Sequence, residues 1–128
     1  MASDDVQFSL LVGAGATRSF KAGETIFKEG DPARELYVVE SGRVGLQLGN
    51  RLLETVEAHG IFGEMALVDE TTRSATAIAQ TDVTLAAISE KQFLFLVEET
   101  PHFAIKVMRV LARRLRASNQ VIHRQFNE

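Results

Sequence analysis

A carboxylate, a guanidinium and several small residues occur close together in residues 62–77, FGEMALVDETTRSATA. Gly63 followed by EMAL predicts a single helical turn, whose first backbone N–H groups have no partners within the turn and can hold an anion. Arg73 adds a planar, permanently charged group that suits phosphate oxygens. Glu64 repels phosphate unless it faces a hydrogen-bond donor such as a sugar hydroxyl. The stretch therefore predicts a site for a ligand with both groups, a nucleotide.

The neighbouring small residues fit the same interpretation. Ala66, Ser74 and Ala75 permit a close approach of the backbone to a ligand, and the hydroxyls of Ser74 and Thr76 are further candidate donors. Met65 lies between the acidic and small residues and is included in the predicted site by its position, although a methionine there also suits a core.

Composition excludes several other classes of protein. The 128 residues suffice for one domain with its own core, and we expect a single domain over residues 1–128. The absence of cysteine excludes disulfide scaffolds, thiolate zinc sites and cysteine nucleophiles, and it suits a reducing cytoplasm. The three histidines are scattered, which disfavours a metal-dependent enzyme. We expect no enzyme activity, no cofactor, no bound metal and, without a long apolar stretch, no membrane span.

Charge is unevenly distributed along the chain. Residues 101–128 hold six Lys/Arg and one acid, a net charge of +5, whereas the preceding residues hold eight basic and sixteen acidic side chains, a net charge of -8. A basic helix can bind nucleic acid, but no recognition motif accompanies this one and the acidic remainder opposes DNA. A solvated helix face is therefore the favoured interpretation.

Short β-rich segments separated by turn residues follow one another from residue 17 to residue 89. This pattern is typical of an all-β sandwich or barrel, and Gly49-Asn50 predicts a tight hairpin turn. The predicted strands are TRSF, TIF, ELYVVE, RVGLQL, RLLETVE, ATAIAQ and VTLAAIS.

The pattern becomes helical at Ser89, a predicted N-cap, and Pro101 begins a second, long helix. One stripe along this helix has the alternating four- and three-residue spacing of a coiled-coil seam, with one polar member. The seam residues are Ala104, Met108, Leu111, Leu115, Ser118 and Ile122. A neighbouring stripe of Phe103, Val107 and Val110 could face the β body. The seam predicts a homodimer; the alternative is that both stripes are buried against the β body.

Several segments of the sequence resemble those of a known family. FGEMAL followed by RSAT resembles the phosphate-binding cassette of cyclic-nucleotide-binding domains, found in bacterial catabolite activator proteins and in regulatory subunits of cyclic-AMP-dependent protein kinases. Residues 20–44, FKAGETIFKEGDPARELYVVESGRV, are similar to the opening strands and glycine turns of that family. With the terminal helix, the resemblance covers nearly the whole chain. It implies a mainly β fold: a β-roll, or jelly-roll-like barrel, over about 15–89, with a short phosphate-binding helix and two C-terminal helices over about 90–126.

The resemblance also implies roles for single residues. Glu64 would bind the ribose 2′-hydroxyl and Arg73 the cyclic phosphate, while Gly63, Ala66 and Ser74 would line the phosphate. These roles agree with those argued from the residue types alone.

The long helix also has a counterpart in the catabolite activators, where its polar residues reach the purine. ARRLRASNQ is similar to that helix, and Ser118 and Asn119 occupy the matching places. In kinase-type relatives a threonine at the position of Ser74 is associated with cyclic GMP and an alanine with cyclic AMP, so serine favours neither. The Ser118-Asn119 pair inclines the expectation toward cyclic AMP (cAMP) over cyclic GMP (cGMP).

Some features depart from the family pattern. Thr72 stands where many members have proline, fewer than twenty residues precede the first strand, and no helix-turn-helix follows the long helix. The expected function is a stand-alone cyclic nucleotide receptor that moves its C-terminal helix and acts on an effector protein. The alternatives are the ligand-binding part of a truncated Crp-like transcription regulator and a ligand-free dimerisation module.

Overall fold

The computed structural model describes residues 15–67 and 72–127, with side chains as far as Arg116 except that of Leu67. Two compact units divide these residues, one ending at Phe93 and the other beginning at Leu94. The first unit contains the strands and the stretch in which the sequence predicts a ligand site. The second contains most of the helical residues. Neither described helix is apolar over a stretch long enough to cross a membrane.

Eight strands form two four-stranded antiparallel sheets in the described part of the first unit. The strands are β1 (Ala16–Phe20), β2 (Thr25–Phe27), β3 (Glu35–Ser41), β4 (Val44–Leu48), β5 (Arg51–Val56), β6 (Ile61–Phe62), β7 (Thr76–Ala79) and β8 (Val83–Ser89). One sheet has the order β1-β8-β3-β6 and the other β2-β7-β4-β5. The predicted mainly β class and the roll are confirmed, as two separate sheets and not a closed barrel.

One hydrophobic core contains residues from both sheets. Alternate residues of a strand point to opposite faces, so the pairs Tyr37–Ala87 and Val39–Leu85 place four side chains on the same face of the first sheet. These side chains meet those of the second sheet in one buried cluster. Its members are Phe27, Tyr37, Val39, Val44, Val56, Phe62, Ala77, Ala79, Val83, Leu85 and Ala87.

The predicted hairpin turn at Gly49-Asn50 is confirmed. Leu48 pairs with Arg51, which leaves two residues in the loop between β4 and β5. Gly49 has a φ of +59°, whereas Asn50 does not have a positive φ. A two-residue loop that needs a left-handed conformation at its first position is the reason for glycine there.

β6 was missing from the predicted strands. It is only two residues long and lies between a turn at Ala58-His59 and the residues of the predicted site. Two apolar residues show no alternation, so the sequence contains too little periodicity to indicate a strand. Pairing with Tyr37 and Val38 of β3 defines it.

The helical start at Ser89 is confirmed by its hydrogen bonds. The Gln92 N–H donates to Ser89 Oγ at 3.2 Å, and the Ser89 N–H donates to Gln92 Oε1 at 2.9 Å. This reciprocal capping box begins α1 (Glu90–Glu99). Helix α2 (His102–Asn127) begins one residue after Pro101, the predicted start.

The two stripes of α2 differ in exposure. Phe103, Val107 and Val110 are buried, whereas Met108 and Leu115 of the predicted seam are 57% and 62% exposed. Met108 and Leu115 are therefore the exposed members of the seam among the residues whose side chains are described. Ala104 and Leu111 are partly buried. The side chains of Ser118 and Ile122 lie outside the described residues.

Candidate functional site

Two charged side chains are buried among the described residues, and both belong to the stretch at residues 62–77. Glu64 is 5% exposed and Arg73 is 6% exposed. Glu64 begins a short 3₁₀ helix (Glu64–Leu67), as expected of the predicted helical turn. Burial of a charge is costly, and a buried acid and base at one place in a fold are typical of a ligand site.

The guanidinium of Arg73 rests on aromatic rings. Its Cζ atom lies 4.2 Å from the centre of the Phe27 ring and 5.4 Å from that of Tyr37. Phe62 completes the aromatic group, because its ring centre is 5.2 Å from that of Tyr37 and 5.9 Å from that of Phe27. A cation over ring faces is attracted electrostatically, and the attraction is strongest where water is excluded. We call Phe27, Tyr37 and Phe62 the aromatic floor: the first two rings face the cation, and Phe62 packs against both of them.

Gly63 contacts the guanidinium from the side of the 3₁₀ helix. Its carbonyl oxygen accepts hydrogen bonds from Arg73 Nη1 and from the Ala66 N–H, both at 3.3 Å. Gly63 has a φ of +76°, and a Cβ atom there would lie 2.8 Å from Arg73 Nη1 and 3.6 Å from Tyr37 Cδ2. Both the conformation and the close approach require glycine. This position brings the backbone of the predicted site against the predicted phosphate-binding side chain.

The backbone of Arg73 is tied to a distant turn. The Arg73 N–H donates to the Asp31 carbonyl at 2.8 Å, and the Gly30 N–H donates to the Arg73 carbonyl at 2.8 Å. Pro32 and Thr72 form an isolated antiparallel bridge beside these bonds. The main chain at Arg73 is therefore fixed by the EGDP turn, although no proline precedes the arginine.

The electrostatics of the site favour an anion. Burial lowers the pKa of Arg73, while Tyr37 and Glu35 act in the opposite direction. Its buried Nε atom has no hydrogen-bond acceptor among the residues that the structure describes. A buried donor without a partner is rare in proteins. An anion beside Arg73 would satisfy this donor and offset the cost of burying the cation.

The other predicted site residues occupy different surroundings. Met65, Ala66 and Ala75 are partly buried, and Ser74 is exposed. The structure therefore brings Gly63, Glu64, Met65 and Ala66 together on one continuous segment, with Arg73 against Gly63. The remaining two predicted residues, Ser118 and Asn119, lie on α2, and their side chains are outside the described residues.

The floor under Arg73 was missed in the sequence. Phe27, Tyr37 and Phe62 lie 46, 36 and 11 positions before Arg73. The apolar run in β3 indicates a buried strand, but no local pattern shows which residue covers the Tyr37 ring. The hydrogen bond between Thr76 Oγ1 and the Glu29 N–H, 3.0 Å long, was also missed; here the Thr76 hydroxyl oxygen is the acceptor.

The sequence of this chain is similar to that of known proteins. The family model described as "Cyclic nucleotide-binding domain" matches residues 17–100. The Cyclic AMP receptor protein of Thermus thermophilus is 39% identical over 107 residues, which cover 80% of this chain and 50% of that protein. A cAMP-dependent protein kinase regulatory subunit of Colletotrichum orbiculare is 36% identical over 88 residues, 66% of this chain and 22% of that protein.

Solved structures show the same similarity. The crystal structure of the Thermus thermophilus Catabolite Activator Protein has a TM-score of 0.78 and 35% identity, and the match covers 96% of this chain and 59% of that one. The chain spans at most about half the length of these curated relatives.

Proposed function

Because this chain belongs to the cyclic nucleotide-binding domain family, we propose that it is a receptor for a cyclic nucleotide and not an enzyme. The observation that carries the proposal is the buried Arg73, whose Nε atom has no acceptor among the described residues and whose Nη1 atom makes a long, 3.3 Å bond to a backbone carbonyl. Hydrogen bonds between a guanidinium and a phosphate are shorter and stronger. A cyclic phosphate is thus a better partner for this side chain than the protein provides.

We assign the remaining contacts by their position around Arg73. The phosphate lies against Gly63, Ala66 and Ser74, where small residues leave the backbone accessible. Glu64, the first residue of the 3₁₀ helix, binds the ribose 2′-hydroxyl. Met65 and Ala75 complete the ligand-binding set as partly buried neighbours.

We propose cAMP as the preferred ligand over cGMP. The names of the Thermus receptor and the Colletotrichum regulatory subunit both refer to cAMP. In this chain, Ser118 and Asn119 are the candidate contacts to the purine, as the similarity of their helix to that of the catabolite activators implies.

The proposed output is movement of α2 in a homodimer. The seam is Ala104, Met108, Leu111, Leu115, Ser118 and Ile122. Exposed Met108 and Leu115 support a partner helix, because large apolar side chains at seam spacing are stabilised when a second helix covers them. Ligand binding moves α2 only if the nucleotide binds one helix arrangement better than the other, and a purine contact to Ser118 in the seam would supply that difference. An effector protein would then read the dimer geometry.

Direct titration tests the ligand and its base. Nucleotide-stripped protein is titrated with cAMP and with cGMP by calorimetry, and the expected result is a lower Kd for cAMP. Equal affinities, or a lower Kd for cGMP, would contradict the proposed base preference without affecting the receptor proposal.

The role of Glu64 is tested with the Glu64→Gln variant and 2′-deoxy cAMP. The variant should lose about tenfold in affinity for cAMP, the cost of roughly one charged hydrogen bond, and much less for the deoxy ligand. Exposed Glu57, in the turn after β5, provides a matched control as Glu57→Ala. An equal loss for both ligands would show that Glu64 does not bind the 2′-hydroxyl.

A second candidate follows from the coverage of the relatives. Since the chain spans half of the Thermus receptor, this sequence can also be the ligand-binding part of a longer Crp-like transcription regulator. The full gene boundary decides between the two. A complete absence of nucleotide binding would instead favour a ligand-free dimerisation module.

A further inference from the structure

Three polar side chains form a chain of contacts beside the aromatic floor. The Tyr37 hydroxyl donates to Glu35 Oε1 at 3.0 Å, and Arg18 Nη1 makes an ion pair with the same oxygen at 2.8 Å. Glu35 is largely covered, with its side chain 22% exposed. None of these three residues belongs to the ligand-binding set proposed above.

Strand register places these three residues on one face of the sheet. Arg18 of β1 pairs with Leu85 of β8, and β8 pairs on its other side with β3, where Glu35 faces Ser89. Leu85 and Ser89 are four residues apart, so both point to the same face of the sheet. Tyr37, two residues after Glu35, points to that face as well. The contacts therefore lie on the face that carries the core and the floor under Arg73.

The Tyr37 ring connects this network to the phosphate site. Its ring lies under the Arg73 guanidinium and is stacked on Phe62, while its hydroxyl is held by Glu35. We propose that Glu35 is a positioning residue of the phosphate site, which fixes the Tyr37 ring and thereby the direction in which the Arg73 guanidinium points. This inference rests on the proposed function, since it concerns how the same site is prepared for its ligand.

The two contacts of Glu35 differ in strength. The ion pair to Arg18 adds little by itself, because Arg18 is about half exposed and such pairs are weak in water. The bond from Tyr37 to Glu35 lies deeper and has a charged acceptor, which makes it stronger than a neutral bond. Without the carboxylate, the buried Tyr37 hydroxyl loses its acceptor, and the ring can tilt. The guanidinium above it would then be less well oriented for a planar, paired contact with phosphate.

The test compares Glu35→Ala, Glu35→Gln and the control Glu57→Ala by calorimetric titration with cAMP. The alanine variant should bind about five- to tenfold more weakly, as expected for one hydrogen bond lost to a charged acceptor. The glutamine variant keeps an oxygen acceptor and should return to within about twofold of the unmodified protein. The binding stoichiometry should stay unchanged in all three, whereas a merely structural role would lower the folded, binding-competent fraction instead.

The double variant Glu35→Ala/Tyr37→Phe tests whether Glu35 acts through the hydroxyl. Tyr37→Phe keeps the ring but removes its hydroxyl. If Glu35 acts through that hydroxyl, the double variant should lose no more affinity than the single variant, Glu35→Ala or Tyr37→Phe, that loses more. Additive losses, no loss in Glu35→Ala, or failure of Glu35→Gln to restore binding would each overturn the inference. If the unmodified chain binds cAMP and Glu35→Ala binds equally well, only this inference fails; if the unmodified chain does not bind, the proposed function fails with it.

Discussion

Gly63→Ala is a small change that, beside a suitable control, separates two roles of Gly63. One is its left-handed backbone conformation, and the other is its close contact with the Arg73 side chain. Gly63 has a φ of +76°, and its added methyl group would lie 2.8 Å from Arg73 Nη1. Nη1 is the end of a flexible side chain, so the chain can relieve this contact by moving the guanidinium. The move breaks the 3.3 Å bond from Nη1 to the Gly63 carbonyl and shifts the cation on its aromatic floor.

Gly49→Ala provides the matched control. Gly49 also has a positive φ, +59°, but a Cβ atom there meets nothing within 4 Å. A left-handed alanine costs about 1–2 kcal/mol in either place, and the lost hydrogen bond adds about 1 kcal/mol for Gly63→Ala. Affinity for cAMP should fall about tenfold in Gly63→Ala, or about 1.4 kcal/mol, and stay unchanged in Gly49→Ala.

Urea unfolding measures the free energy of unfolding of each variant, and calorimetric titration of the folded variants measures their affinity for cAMP. The two variants should have the same free energy of unfolding to within about 1 kcal/mol but differ in their affinity for cAMP. If Gly63→Ala binds cAMP as tightly as Gly49→Ala does, the orientation of Arg73 against Gly63 has no part in ligand binding, and the reasoning is refuted.

Three further outcomes are expected. Ser89→Ala should cost about 1 kcal/mol of unfolding free energy in urea, because it removes the Ser89 side-chain half of the capping box; an unchanged midpoint would contradict that role. Burial, and then the bond to Glu35, raise the pKa of Tyr37, the chain's one tyrosine. The neutral hydroxyl therefore stabilises the fold fully below the ordinary tyrosine pKa, and this contribution is lost as pH rises through the raised value. Ultraviolet titration should show that Tyr37 ionises at a higher pH than a free tyrosine, and at a lower pH in Glu35→Gln than in the unmodified protein. Met108→Glu with Leu115→Glu should give a monomer in sedimentation experiments, since two charges would enter the seam; a monomeric unmodified protein would contradict the dimer.

Local patterns were sufficient to predict much of the fold. The short apolar, β-branched runs ELYVVE and VTLAAIS, each bounded by turn residues, predicted strands that the structure confirms as β3 and β8. Gly49 and Ser89 are signals of a different kind, because each residue type satisfies a specific backbone need of its turn or helix start. The sequence also predicted the two stripes of α2, since residues three and four apart share a helix face.

Long-range contacts explain what the sequence could not show. The floor under Arg73 combines Phe27, Tyr37 and Phe62 from three strands of two different sheets, and only the strand order brings these rings together. The same holds for Asp31, whose carbonyl fixes the backbone of Arg73 across 42 positions of the chain. Pairs such as these depend on sheet topology, which residue spacing alone does not specify.

The most direct measurement is a calorimetric titration of nucleotide-stripped protein with cAMP, made in parallel on Arg73→Ala and on Arg51→Ala. Arg51 is an exposed arginine at the β4–β5 hairpin and controls for loss of one positive charge. Losing the buried cation should cost roughly 2 to 5 kcal/mol of binding free energy, at least thirtyfold in Kd, whereas Arg51→Ala should bind as the unmodified protein does. Equal affinity of Arg73→Ala and Arg51→Ala, or no binding by the unmodified protein, would contradict the account.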